Sequence, residues 1–339
     1  MPMKIFAFVL LLIFPFNPFN NNPEGDQSLW KELVSLEKQH HWQIVVGGNR
    51  IYKISIANKS KHLLLANSPW YHADWGTISL SPDGEYLAAF RFTKDHKEVV
   101  LIKWKKFLER GGKIEDYITE PLQDFESAGS FSWSPNGKGL IFQGKKRIQS
   151  LPYWKNENPE KVYLYDLTNS AFTELPIIKF FGMDSNTWSK DGRLVYESSE
   201  NFISLYDFNT SKIQDLFEGD FPSWRLDGML TYLELDSKRK DTYYLYDIDK
   251  KEKRILMKGE IERGKNGAVF SPISWSPDSK YFLFGRQTGM IGSSDDLYIR
   301  EASTGREVKI CDEVDELYVG NASWIADQED TEMGSGLYC

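Results

Sequence analysis

One motif, Trp-Ser-Pro-Asp-Gly, recurs along the chain in variant forms, and it limits the fold more than any other feature. The copies read ISLSPDGEYLAAF from Ile78, FSWSPNGKGLIFQ from Phe131, NTWSKDGRLVYES from Asn186, PSWRLDGMLTYLE from Pro222, ISWSPDSKYFLFG from Ile273 and ASWIADQED from Ala322. Their anchors are Leu80, Trp133, Trp188, Trp224, Trp275 and Trp324, at uneven intervals, the shortest between Trp188 and Trp224. Such a pattern describes a constant structural unit with connections of variable length. A unit of this size cannot bury its apolar face alone, so tandem copies must pack on one another.

The motif also sets the local structure. Proline presets φ at the first corner of a type I turn, the Asx side chain caps the turn, and glycine takes the left-handed geometry that closes a hairpin. After each turn comes an alternating apolar segment such as RLVYES, then a strand ending in Tyr-Asp, as in VYLYDL from Val162, ISLYDF from Ile203 and YYLYDI from Tyr243. A polar turn and a short outer strand complete the unit. Four antiparallel strands in tandem units pack radially, which predicts an all-β, six-bladed β-propeller of four-stranded antiparallel blades.

Each anchor follows a small hydroxyl residue: Ser79, Ser132, Thr187, Ser223, Ser274 or Ser323. Alternation along a strand sends anchor and hydroxyl to opposite faces, so a large wedge on one side meets a small residue on the other. This is a packing rule, since residues repeated in every unit seldom form a site.

The sixth copy lacks its second, third and fourth strands. The segment Trp42 to Leu65, WQIVVGGNRIYKISIANKSKHLLL, supplies three strands of the right type. The last blade is therefore expected to combine one C-terminal strand with three N-terminal strands, a clasp that removes the open sheet edge.

These residues resemble the WD40-like repeats of TolB-type six-bladed β-propellers, which carry the same turn and the same Tyr-Asp strand ending. The resemblance spans residues 42–330. The Gly-His and Trp-Asp signatures of true WD40 repeats are missing, and the order of Asp, Gly and Trp differs from that of the sialidase Asp-box. TolB itself has a separate N-terminal α/β domain through which it engages partners, whereas a short helical segment stands in that place here. The resemblance therefore implies the propeller without the role in envelope translocation.

The expected organisation is an apolar signal-like segment and Asn-rich linker over 1–25, a short helix over 26–41, the propeller over 42–330 and a tail over 331–339. One cation followed by IFAFVLLLIFPF from Ile5 has the shape of a secretory signal and is short for a bilayer span of about 20 residues. Export to a periplasmic, extracellular or membrane-tethered location is expected, with membrane contact only through an uncleaved N-terminal segment. In that setting Cys311 and Cys339 are a candidate disulfide, with two separate thiols as the alternative. The sequons at Asn58, Asn209 and Asn321 matter only in a host that glycosylates exported proteins.

No catalytic constellation is legible. There is no Gly-x-Ser-x-Gly elbow, His-Glu-x-x-His, Cys-x-x-Cys, P-loop or dinucleotide fingerprint. The five histidines, His40, His41, His62, His72 and His96, fall in the first third and cannot build a metal site from several blades. Catalytic residues, metal and cofactor are thus expected to be none. A formal charge of -8 and a pI near 5.3 exclude the basic footprint of a nucleic-acid binder.

Binding surface is more legible. Long connections from Ala66, Phe107, Gly144, Lys258 and Arg286 are expected on one face of the disc, where loops on a rigid scaffold carry function. They bring together aromatic Trp70, Tyr71, His72, Trp75, Tyr153 and Trp154 with basic Lys145, Lys146, Arg147 and Arg263, a mixture suited to protein or carbohydrate contacts. The expected function is a non-enzymatic module binding a protein or cell-envelope ligand. The alternative is a polysaccharide lyase or glycoside hydrolase using the same face, which would need a close carboxylate pair at the channel mouth.

Overall fold

A computed structural model describes residues 26–40, 42–47, 51–65, 78–92, 97–119, 122, 125–126, 131–148, 157–178, 187–198, 202–235, 240–262, 273–288, 295–314 and 322–325. The described strands form an all-β propeller of antiparallel sheets, mostly four-stranded. After helix α1 (Gln27–His40) come β1 (Gln43–Gly47), β2 (Ile51–Ser55) and β3 (Ser60–Leu65). The first repeat has β4 (Ile78–Leu80), β5 (Tyr86–Phe92), β6 (Lys97–Lys103), helix α2 (Trp104–Arg110), a 3-10 turn (Ile114–Tyr117) and β7 (Ile118–Thr119). A short β8 (Phe125–Glu126) leads to the second repeat, with β9 (Phe131–Trp133), β10 (Gly139–Lys146), β11 (Lys161–Asp166) and β12 (Ala171–Glu174).

The third repeat has β13 (Arg193–Glu197), β14 (Phe202–Asp207) and β15 (Lys212–Glu218), and its first strand is reduced to one bridge between Trp188 and Leu194. The fourth has β16 (Asp220–Trp224), β17 (Leu230–Leu235), β18 (Lys240–Asp247) and β19 (Glu252–Glu262). The fifth has β20 (Ser274–Trp275), β21 (Tyr281–Gln287), β22 (Asp295–Glu301) and β23 (Glu307–Val314), and β24 (Ala322–Ile325) follows.

Among the described residues these strands assemble into five sheets, which corrects the expectation of six separate blades. The difference lies at β8, which pairs with β10 through Lys145↔Glu126 and Lys146↔Phe125 and with β6 through Glu98↔Glu126. It fuses the first two repeats into one nine-stranded sheet. The physical cause is the apolar pair Leu122 and Phe125, both buried against Val99, Leu101, Phe142 and Tyr163. Burying them draws the connection into the sheet plane.

The chain ends meet in one sheet of order β24-β1-β2-β3, with Ile44 opposite Trp324 and Val45 opposite Ser323. Helix α1 lies over the seam between this sheet and the fifth repeat. Asp26 caps it, accepting from the Ser28 and Leu29 amides at 2.8 and 3.0 Å. Leu29 and Leu33 are buried in a cluster that unites Trp42, Ile44 and Ile54 with Leu283, Ile299 and Val308. Polar contacts reach both sides: the Glu37 carboxylate accepts the Ile56 and Ala57 amides at 2.8 Å each, and Glu32 accepts the Tyr281 hydroxyl at 2.5 Å and Arg306 at 3.1 Å.

The motif turns share one hydrogen-bond design. Ser81, Ser134 and Ser276 donate through Oγ to Asp83, Asn136 and Asp278, and the same oxygens accept the amides of Tyr86, Gly139 and Tyr281. Ser189 is built alike, with Asp191 and the Arg193 amide. In the fourth copy Arg225 replaces the serine and pairs instead with Asp227 at 2.9 Å. The last turn position has positive φ at Gly84, Gly137, Gly192 and Gly228, and at Ser279, which stands where the other copies have glycine.

Candidate functional site

In an antiparallel meander the first-to-second and third-to-fourth connections leave one end, and the remaining connections leave the other. The motif turns therefore mark one face and the long connections the opposite one. The connection beginning at Phe107 departs from expectation: its first part folds as α2 and the 3-10 turn between third and fourth strands, at the turn face. Trp104 and Ile114 hold it there by burial, with Phe107 and Tyr117 in contact at 5.7 Å between ring centroids.

At the loop face, Lys145 and Lys146 end β10 and Arg147 follows directly. Lys146 is exposed, while Lys145 and Arg147 are half-buried. The segment is held at both sides, by β8 through its ladder and by Asn158, whose amide donates to the Lys146 carbonyl at 2.9 Å. Three residues inward from Lys146, the buried Gln143 donates to Glu160 at 2.9 Å. Trp70, Tyr71, His72, Trp75, Tyr153, Trp154 and Arg263 lie outside the described residues, as does Cys339. Cys311 is a buried, free thiol, and burial pushes it up to about 11.

The anchors show what the repeated motif does. Trp133 donates its indole N–H to the Ser79 carbonyl at 3.1 Å, Trp324 to the Ser274 carbonyl at 3.1 Å, and Trp275 to the Thr231 hydroxyl at 2.8 Å. Each bond crosses to the preceding repeat. Trp188 is half-buried and stacks on Phe208 at 4.6 Å, and Leu80 packs with Leu87 and Trp104. Arg193 lies over Trp224 and Arg225 over Trp275, at 5.0 and 5.1 Å, adding cation-π contacts between neighbours. Ser132 and Thr187, both buried, hydrogen-bond across the same kind of boundary.

Sequence reasoning missed Glu197, at the loop-face end of β13. It accepts the Phe221 amide of the fourth repeat at 2.5 Å. Burial, assisted by the Asp220 charge and opposed by that amide, pushes its carboxyl up to about 7. The signal was present in the alternation: Glu197 shares a face with the buried Val195, where a charge is out of pattern. Among the described residues no three His, Cys, Asp or Glu side chains gather as a metal site.

Comparison with solved structures decides the fold. Over 84% of this chain and 66% of the other, the structure matches TolB from Acinetobacter baumannii with a TM-score of 0.55 and 14% identity. The fold is that of a TolB-type β-propeller. A second TolB-type propeller, putative TolB from Agrobacterium tumefaciens, matches with a TM-score of 0.55 and 13% identity over 83% of this chain and 92% of that one. A puromycin-hydrolyzing peptidase of Mycobacterium tuberculosis matches with a TM-score of 0.50 and 16% identity over 79% of this chain but 43% of its own. Residues 236–337 match the model of the dipeptidyl peptidase IV N-terminal region. No curated protein matches the sequence. The TolB-type fold accounts for the motif turns and the radial packing.

Proposed function

We propose that this chain is an exported TolB-like propeller that binds a protein or cell-envelope ligand through its loop face, without catalysis. In this reading the nine-stranded sheet counts as two blades joined through β8, giving six blade units with the closure sheet as the last. The observation that carries it is the basic segment Lys145 to Arg147, fixed by β8 and Asn158 at the face where the long connections emerge. A main chain already fixed loses little entropy on binding, and the neighbouring connections carry Trp70, Trp75, Tyr153 and Trp154, residue types that anchor interfaces. An enzyme acting on polysaccharide would need carboxylates open to substrate. Glu197, the loop-face carboxyl held near neutrality, is instead engaged by a main-chain amide.

The test is capture from envelope extract by the wild type and by a Trp70→Ala, Tyr153→Ala, Trp154→Ala variant with unchanged circular dichroism and unfolding midpoint. A partner retained by the wild type and lost by the variant supports the reading. Identical capture by both places binding elsewhere, and turnover of polysaccharide by the purified chain would replace the reading with the enzymatic one.

A further inference from the structure

Helix α1 fixes where the residues before it leave the disc. The Asp26 amide donates to the Glu307 carbonyl at 3.0 Å, and Arg306, in the turn between β22 and β23, donates to the Ser28 hydroxyl at 3.0 Å. Farther along, the Trp30 indole donates to the Ile56 carbonyl at 3.2 Å and Lys59 lies over its ring at 5.3 Å, both from the turn between β2 and β3. Turns between third and fourth strands belong to the turn face, so Asp26 is pinned on that face, beside the outer strand β23.

The preceding residues start from that point. Ile5 to Phe16 form an apolar run, and the nine residues Asn17 to Gly25 separate it from Asp26. At about 3.3–3.6 Å each, those nine reach about 30 Å at most. Strands of seven or eight residues, such as β22 and β10, make the disc about 25 Å high. The whole linker would be taken up in running that height, so the apolar run meets lipid from the turn face. The linker also lacks the small-residue pattern at which a secretory signal is cut.

Helix α2 stands on the same face. Lys103, Lys105, Lys106, Arg110 and Lys113 are all exposed there, Lys105 also pairing with Glu85 at 2.9 Å. Between Lys103 and Lys113 the one carboxylate is Glu109, with Glu115 and Asp116 following. Such a basic stretch is out of character in a chain of formal charge -8. Leu108 is 48% exposed in the middle of it, while the buried Trp104 holds the other side of the helix to the disc.

We infer that the turn face docks on an anionic lipid surface at two points, the apolar run Ile5 to Phe16 inserted in the bilayer and the α2 cations laid with Leu108 against its headgroups. Neither point suffices alone. The run is shorter than the roughly 20 residues of a span, and a shallow apolar insertion binds reversibly unless a basic patch assists it. Lipid phosphates attract such a patch within a Debye length of about 8–10 Å, so both contacts must lie on one face, as they do here. The loop face is then turned away from the lipid, toward the compartment that holds its ligand. This orientation rests on the export proposed above and is independent of which ligand the loop face takes.

The test is amide exchange on the full chain bound to vesicles of phosphatidylcholine, alone or with about one-third phosphatidylglycerol. On the anionic vesicles, exchange from Lys105 to Lys113 should be slower by about tenfold than on the neutral ones. Ile178 and Leu235, exposed at the loop-face ends of the second and fourth repeats, should exchange as they do in solution. Lys106→Glu, Arg110→Glu, Lys113→Glu alters exposed side chains only, which an unchanged urea midpoint verifies, and it should exchange alike on both vesicles. Equal exchange of wild-type α2 on the two vesicles, protection at Ile178 and Leu235 in its place, or an exported chain whose N-terminus lies beyond Phe16 would each overturn the inference. A chain that gains α2 protection yet captures no envelope ligand would support it and count against the loop-face reading, so the two fail separately.

Discussion

The Trp324 indole donates to the Ser274 carbonyl at 3.1 Å while its strand pairs with Ile44 across the closure. The same residue therefore ties the C-terminal strand both to the fifth repeat and to the N-terminal strands. Trp324→Phe keeps most of the edge contact with Trp42 and loses the hydrogen bond, so stability should fall by about 1 kcal/mol. Trp324→Ala should cost about 3–5 kcal/mol, because it also removes a buried ring. Urea unfolding measures both.

Helix α1 should act as a seal on that closure. Glu37→Ala leaves two amides, those of Ile56 and Ala57, without their acceptor, and stability should drop by about 1–3 kcal/mol. Amide exchange should accelerate at those two residues first.

The turns offer an internal control. Gly137 and Gly228 both have positive φ, but a Cβ at Gly137 would lie 2.6 Å from an Asp83 carboxylate oxygen, whereas nothing lies within 4 Å at Gly228. Gly228→Ala should therefore cost only the left-handed penalty of about 1–2 kcal/mol. Gly137→Ala should cost more, unless Asp83 is truncated in the same chain, and a double-mutant cycle reads that coupling.

Glu197 gives stability a pH dependence of defined sign. An unfolded glutamate loses its proton near 4.5 and the folded one near 7, so between these values the native state holds the extra proton and rising pH favours unfolding. The lowered carboxyls of Asp26, Asp191, Asp247 and Glu301 act oppositely, since their stabilisation is lost as pH falls. The difference between wild type and Glu197→Gln across this window isolates Glu197, and it should favour the wild type at the acid end.

Cys311 should be chemically quiet. Burial holds its thiol up near 11, so a thiol reagent at about pH 8 should label it only on unfolding.

Much of this architecture was legible because it repeats. The Ser-Pro-Asx-Gly turns announce their hydrogen bonds, since each residue type serves one local function, and the missing strands of the sixth copy pointed to β1, β2 and β3. The fusion through β8 was not legible: Leu122 and Phe125 look like any two apolar residues in a polar connection until the groove they fill exists. Glu197 was half legible. Strand alternation places it inward, but its engagement with Phe221 depends on a bulge in a neighbouring repeat that no local pattern encodes. Of the proposed binding residues, Lys145, Lys146 and Arg147 are placed by a strand end, and the aromatic ones belong to connections outside the described residues.

The central claim is that recognition belongs to the loop face. It is tested most directly by measuring the affinity of the captured ligand for Lys145→Glu, Lys146→Glu, Arg147→Glu beside a turn-face control, Lys105→Glu, Lys280→Glu. The loop-face variant should lose about tenfold or more in affinity, chiefly at low salt, while the control keeps wild-type binding. Loss in the control with full binding by the loop-face variant would contradict the account.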